Sequence, residues 1–395
     1  MKKDVKISAK QRRKRKKAMV AAAITAMVAI AVLVIVIAAQ KIGGTSVRTM
    51  ASDTRDYFMG MGSGEGFPYA VKSDDVEDIR VSGSKLNLLL SDRTLTLTST
   101  AKEIGPQQHT YSSPMMKTSG SQIIVYDLDS GCFRVQNGTE IVKDYRLENR
   151  ITAADIGKKG NYAVGTYGKD VSSVLTVYNK RHKEIFIWKF KTERITDISL
   201  SDNGRYAAVT TIDSKNAVIN SKLYVFNFKS DKYVSRFDYD GTTLVRVNYI
   251  KANDIAAVGD NLRTFIKNNR DRTDDEKFGS DSLKAYSIND KGCSSLVLSR
   301  YSSPILSNVS IYNNRNKKLF STDFDKQIKW VDFDGRYFAV LFENEVRMYN
   351  KKGKQVGSAK LSGVPVRVAV NGSKTYVLTS VGISCFKTRA DTAAD

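Results

Sequence analysis

The residues able to do chemistry are few and scattered. Asp127-Leu128-Asp129-Ser130-Gly131 alternates carboxylates as a calcium loop does, yet its twelfth position is Gly138, where such a loop needs an acid. A hairpin turn using Asp and Gly for their backbone geometry accounts for it, as it does for Asp202-Asn203-Gly204 and Asp334-Gly335. His109 and His182 stand in different stretches with no acid or nucleophile motif around them. Either could line a central channel; a polar surface role is the plainer expectation. No Gly-x-Ser-x-Gly elbow, Gly-x-Gly-x-x-Gly loop or phosphate loop occurs. Cys132, Cys293 and Cys385 form no Cys-x-x-Cys pair, so there is little material for zinc. Cys132 and Cys385 are expected to be small buried hydrophobes in separate strands, and Cys293, after a Gly turn, to be more exposed. The sequence therefore offers no catalytic, cofactor-binding or metal-binding residues, and no cofactor. A convergent set of acids, His or Arg at the inner ends of several repeats would argue for an enzyme, and none is legible.

The chain of 395 residues carries 63 Lys/Arg against 41 Asp/Glu, a formal charge of +22. Residues 1–17 hold ten Lys/Arg and one Asp. The remaining basic excess is dispersed through most of the chain, which predicts a Lys-rich surface without a focus. With 41% apolar residues the chain can bury a core, so wholesale disorder is excluded.

Residues 18–39, AMVAAAITAMVAIAVLVIVIAA, contain no charge. As a helix they would run about 33 Å, enough for a hydrocarbon core of roughly 30 Å. The basic cluster before them predicts an N-terminus in the cytoplasm and everything after Gln40 outside. A cleaved secretory signal is the alternative, but its apolar region is shorter, about 7–15 residues. Residues 40–66 resemble a tether, with Tyr57, Phe58 and Met59 forming an apolar turn able to dock on the domain beyond. The expected organisation is a basic cytoplasmic tail at 1–17, a transmembrane helix at 18–39, a tether at 40–66, an extracytoplasmic domain at 67–388 and a short tail at 389–395.

From Phe67 onward, short Val/Ile/Tyr/Phe-rich runs alternate with Gly, Asn, Asp and Ser clusters, the texture of an all-β domain. One phrase recurs: strand, polar turn, apolar strand. It appears as ITAADIGKKGNYAVGTY, ITDISLSDNGRYAAVTT, IKWVDFDGRYFAVLF and VRVAVNGSKTYVLTS, with weaker copies elsewhere. The first core residues after the turn are Leu86, Ile123, Tyr162, Tyr206, Ile255, Leu296, Tyr337 and Tyr376. A second phrase comes after it in several repeats, with a turn opened by Asn179, Asn227, Asn313 or Asn350. About four strands per forty residues, repeated around eight times, predict an eight-bladed β-propeller, with seven blades as the alternative. The last repeat has only three strands, and FPYAV at 67–71 is expected to supply the fourth and close the ring. The charged stretch from Lys267 to Ser282 lengthens the fifth repeat and reads as an inserted loop.

LTVYNKRHKEIFIWKF, with Trp188, resembles the blade motif of quinoprotein-type propellers and supports the fold, not the cofactor. The whole layout is similar to an uncharacterised family of single-span, membrane-anchored propeller proteins of Gram-positive anaerobes: basic tail, span, tether ending in GEGFPY, propeller repeats. That family carries no established activity. WD-type signatures are absent. The expected function is a non-enzymatic binding or scaffold platform for an envelope protein or anionic polymer. The alternative is an extracytoplasmic enzyme, a quinoprotein-like dehydrogenase or a polysaccharide-acting enzyme, using the central channel. Nucleic acid is not expected, since no recognition element is present.

Overall fold

The computed structural model describes residues 55–71, 75–215, 217–273, 275–289, 291–301 and 303–387. The expected basic tail, transmembrane segment, most of the tether and the C-terminal tail lie outside these residues. Among the described residues no helix is long and apolar enough to cross a membrane.

Eight antiparallel sheets succeed one another along the chain, so the blade count is eight. Blades 1 to 8 span 76–108, 114–146, 151–190, 194–239, 244–277, 282–324, 330–360 and 365–387. Each is a meander whose strands pair in chain order. All eight anticipated core residues fall in second strands. These strands are sandwiched between the first and third and read as nearly continuous buried runs: KLNLLL in blade 1, YAVGTY in blade 3, YFAVL in blade 7. A blade hides its faces only against its neighbours. Leu175, Val177 and Phe190 of blade 3 share one cluster with Ile195, Ile198 and Val209 of blade 4, and Trp188 lies 4.9 Å from Phe226 across the same seam. Blades 6 and 7 repeat this arrangement through Val309, Ile311, Phe333 and Phe338.

The ring closes as the sequence implied. Blade 8 contributes three strands, and Tyr69 bridges Ile383 with both backbone hydrogen bonds, at 2.8 and 2.9 Å. Gly382 makes this possible: its φ is +141°, and a Cβ there would sit 2.4 Å from the Tyr69 carbonyl. Two expectations are overturned. The stretch after Lys267 is no free loop; residues 271–272 and 276–277 both pair with the third strand of blade 5, forming an interrupted outer strand. The helical turn at 55–59 does dock on the ring, but through Asp56, not its aromatics. Asp56 is buried, accepts hydrogen bonds from the Thr139 hydroxyl (2.6 Å) and from Lys85 Nζ (3.1 Å), while Tyr57 and Phe58 stay exposed.

Candidate functional site: the central channel and the two ring faces

The first strand of every blade lines a central cavity of ≈390 Å³. Its walls hold the convergent charges that could not be read in the sequence: Asp78, Asp155 and Asp332 with Arg80, Lys117, Arg246 and Arg367. Asp197 joins them as the partner of Lys117, 3.1 Å away, with Arg246 at 3.8 Å. They were missed because each repeat contributes one or two, at positions that look like ordinary polar residues of a strand. The available signal was a charged residue inside each first strand, as in VEDIRVS, ITAADI, WVDF and PVRVAVN.

These carboxylates tie blades together. Asp155 of blade 3 accepts the Leu200 N–H of blade 4 at 2.7 Å. Asp197 of blade 4 accepts the Val247 N–H of blade 5 at 3.0 Å. Asp332 of blade 7 accepts the Val370 N–H of blade 8 at 2.7 Å and the Ser287 hydroxyl of blade 6. Asp78 of blade 1 receives Arg367 of blade 8, whose guanidinium lies 4.5 Å from the Trp330 ring. First strands sit at the axis, where their own sheet leaves one edge unpaired, so side-chain acceptors satisfy amides there. Burial pushes the Asp155 carboxyl up to about 7 despite Lys117 and the Leu200 amide. Burial likewise raises Asp332, against its hydrogen bonds from Ser287 and Val370. Tyr286 Oη and Asn248 Oδ1 are buried at the same wall without a protein hydrogen-bond partner.

The remaining candidates lie elsewhere. His109 is in the connection between blades 1 and 2, stacked 4.8 Å from Tyr111; burial, then nearby Arg134, lowers its pKa. His182 sits at φ +61° in an outer turn of blade 3, its Nδ1 3.1 Å from Tyr162 Oη. Neither lines the channel. Asp127 caps the Ser113 N–H at 2.7 Å and Asp129 pairs with Arg150 at 3.0 Å, in a turn as expected. The cysteine order is reversed: Cys293 is buried, whereas Cys132 and Cys385 are half-buried, and all three are free thiols. Cys293 is covered by the next blade, where a Cβ on Gly335 would come within 3.1 Å of its Sγ.

A meander sends alternate connections to opposite ends, and the ring aligns all blades. Contacts between neighbours confirm the alignment: Asn371 Nδ2 donates to the Gly83 carbonyl, Asn289 Nδ2 to that of Phe333, and Lys158 pairs with Asp202. The lower face collects the connections between first and second and between third and fourth strands. The upper face collects the rest. Among described residues the lower connections hold eighteen Lys/Arg and three Asp/Glu; the upper ones hold five and eleven. The expectation of an unfocused basic surface is thus overturned. Residues spread evenly through a repeating sequence land at one end of the ring when they occupy the same turn.

The Asn-opened turns show how. Asn179, Asn227, Asn313 and Asn350 each accept, through Oδ1, the N–H two residues on, at 2.8–3.0 Å. Three of them also accept the N–H four residues on. The donors are Arg181 and Lys183, Lys229, Arg315 and Lys317, and Lys352 and Lys354, so the side-chain cap fixes the loop from which the cations project. The upper face has a different character. Among the described residues, nine of the fifteen large apolar side chains that stand exposed lie at its connections or adjoining strand ends, Tyr301 at 86% and Val364 at 65% among them. A shallow open groove of ≈610 Å³ on the outer edge of blades 3 and 4 is lined by Phe186, Trp188 and Phe228.

Residues 72–383 match the family of unknown function DUF5711. The chain belongs to that family. No protein of curated function matches it in sequence. In structure it is similar to the C-terminal WD40 domain of Sif2 (14% identity, 82% of this chain and 98% of that one, TM-score 0.57). It is also similar to Sqt1 of Saccharomyces cerevisiae (13%, 81% and 97%, TM-score 0.55). BamB of Moraxella catarrhalis is a further likeness (11%, 80% and 97%, TM-score 0.50). At these identities the likeness establishes the fold of this DUF5711 member and nothing further.

Proposed function

We propose that this chain is a membrane-anchored, extracytoplasmic propeller that serves as a non-enzymatic platform, holding an envelope protein against its upper face. The uncharged segment 18–39 behind ten Lys/Arg supports the anchor and its outward topology. The carrying observation is the exposed apolar residues gathered on one end of an otherwise well-packed ring. Exposed apolar side chains that recur on one end of the ring suit a protein contact. Its surroundings are acidic, which disfavours lipid and suits a partner presenting apolar and basic side chains. The described chain begins on the lower face, where Asp56 is fixed to Thr139 and Lys85, at the end opposite these apolar residues. The acids that converge on the channel are compatible with a platform, because Asp155, Asp197 and Asp332 are engaged in holding neighbouring blades together.

A photocrosslinker at Tyr301 or Val364 in intact cells is expected to capture one and the same protein. A crosslinker at Lys351 should not capture it, and Ile305→Asp should abolish the capture. Capture that is indifferent to position, or unaffected by Ile305→Asp, contradicts the reading. The enzyme alternative leans on the near-neutral Asp155 carboxyl in a cavity. Pyrroloquinoline quinone or calcium should leave thermal unfolding unchanged; clear stabilisation by either would favour an enzyme.

A further inference from the structure

We infer that the lower face is a docking surface for an anionic phospholipid bilayer. Two independent features of that face point there. The first is charge held in a plane. Six of the eight blades place Lys or Arg in a lower connection, and Arg181, Lys183, Arg315, Lys317, Lys351 and Lys352 are exposed there on Asn-capped turns. A ring of cations displayed at one end meets a surface of phosphates at many points at once, and each adds to the attraction. The second is apolar. Tyr57, Phe58 and Met61 are 65%, 61% and 49% exposed, in and just after the helical turn that Asp56 pins to blades 1 and 2. Lys102, which donates to the Met61 carbonyl, sits beside them. Aromatic and thioether side chains among cations suit the boundary between headgroups and acyl chains. A soluble polyanion would gain nothing from them, which decides for lipid over a free polymer.

The chain's route agrees. Residue 55 lies on this face, and residues 40–54 separate it from the segment 18–39, a reach of about 50 Å fully extended. The topology rests on the anchor proposed above; the affinity of the face for anionic lipid does not.

The test uses the full chain in nanodiscs of phosphatidylcholine alone or with phosphatidylglycerol, with lysine acylation by a water-soluble reagent followed peptide by peptide. Lys183, Lys351 and Lys352 are expected to react several-fold more slowly in the anionic discs, recovering at about 0.5 M salt as charges are screened. Lys169 and Lys191 of the upper connections should react alike in both. Combined Lys351→Glu, Lys352→Glu and Lys354→Glu should weaken the protection that remains readable at Lys183 by about fivefold per cation, and Phe58→Ser should weaken it further at unchanged charge. Equal acylation of the lower lysines in both discs overturns the inference. Soluble polyphosphate that protects these lysines where discs do not overturns it too, assigning the face to a free polymer. Alkaline extraction reports separately on the anchor. A chain that washes out of neutral discs, yet is protected on anionic ones, refutes the span and leaves the docking face standing.

Discussion

The two ends of this ring are built from the same eight repeats and differ in almost every surface property. The lower connections are short, Asn- or Gly-shaped and basic, and the upper ones are acidic with exposed apolar side chains. Neither end owes its character to a contiguous motif. A hairpin turn recurring every forty residues or so contributes a few cations in most blades, and closure assembles them. In a repeat protein a weak preference at one position becomes a face, so charge dispersed along the chain and charge dispersed over the surface are different things.

The comparison breaks most severely if the ring opens. Gly382→Val places a side chain against the Tyr69 carbonyl in a conformation only glycine adopts readily, and should cost about 3 kcal/mol or more, seen as a lower denaturation midpoint. Retention of wild-type stability would mean that residues 67–71 do not seal blade 8. A smaller break is local to the lower face. Asp56→Ala removes a buried carboxylate from Thr139 and Lys85 and should cost about 1–3 kcal/mol, releasing the helical turn for hydrogen exchange while the blades stay protected.

The region between the faces answers to pH. Burial raises Asp155 to about 7 and raises Asp332, so the folded protein holds these protons more tightly than the unfolded chain does. The stabilisation is complete below the ordinary carboxylate range, about 4, and is lost as pH rises through 7. The melting temperature should therefore fall by roughly 5 °C from pH 5 to pH 8. Asp155→Asn, which can still accept the Leu200 N–H, should flatten that slope. A slope that is flat or rising in the wild type would show that Asp155 titrates as an ordinary acid. Surface changes sharpen the comparison with little effect on stability. Tyr301→Ser and Lys352→Glu should each stay within about 0.5 kcal/mol of wild type. The first should weaken only protein capture and the second, read at Lys183, only lipid protection. Loss of both by either change would erase the division of labour.

Repetition made one part of this molecule legible in the sequence and hid another. Turn-then-apolar-strand spacing located Leu86, Tyr162 and Tyr376 in second strands, because it is a local pattern, and the missing fourth strand of the last repeat pointed to FPYAV, which closes the ring through a single bridge at Tyr69. The channel was not legible, because Asp155, Asp197 and Asp332 acquire partners only when blades lie side by side. Cys293 was misjudged for a related reason: its turn looks exposed until the next blade covers it at Gly335. Asn350 and its kin were recognised as turn openers. That their caps all point cations to one end required knowing that every blade runs in the same sense.

The most direct test of the account compares two spin labels in the full chain on anionic discs. Cys132 and Cys385 are replaced by Ser, and the label is placed by Lys352→Cys or by Tyr301→Cys, with accessibility read against a headgroup-tethered relaxation agent. The label at 352 should relax strongly and the label at 301 should behave as it does in free solution. Equal relaxation at the two sites, or stronger relaxation at 301, would contradict the assignment of the faces.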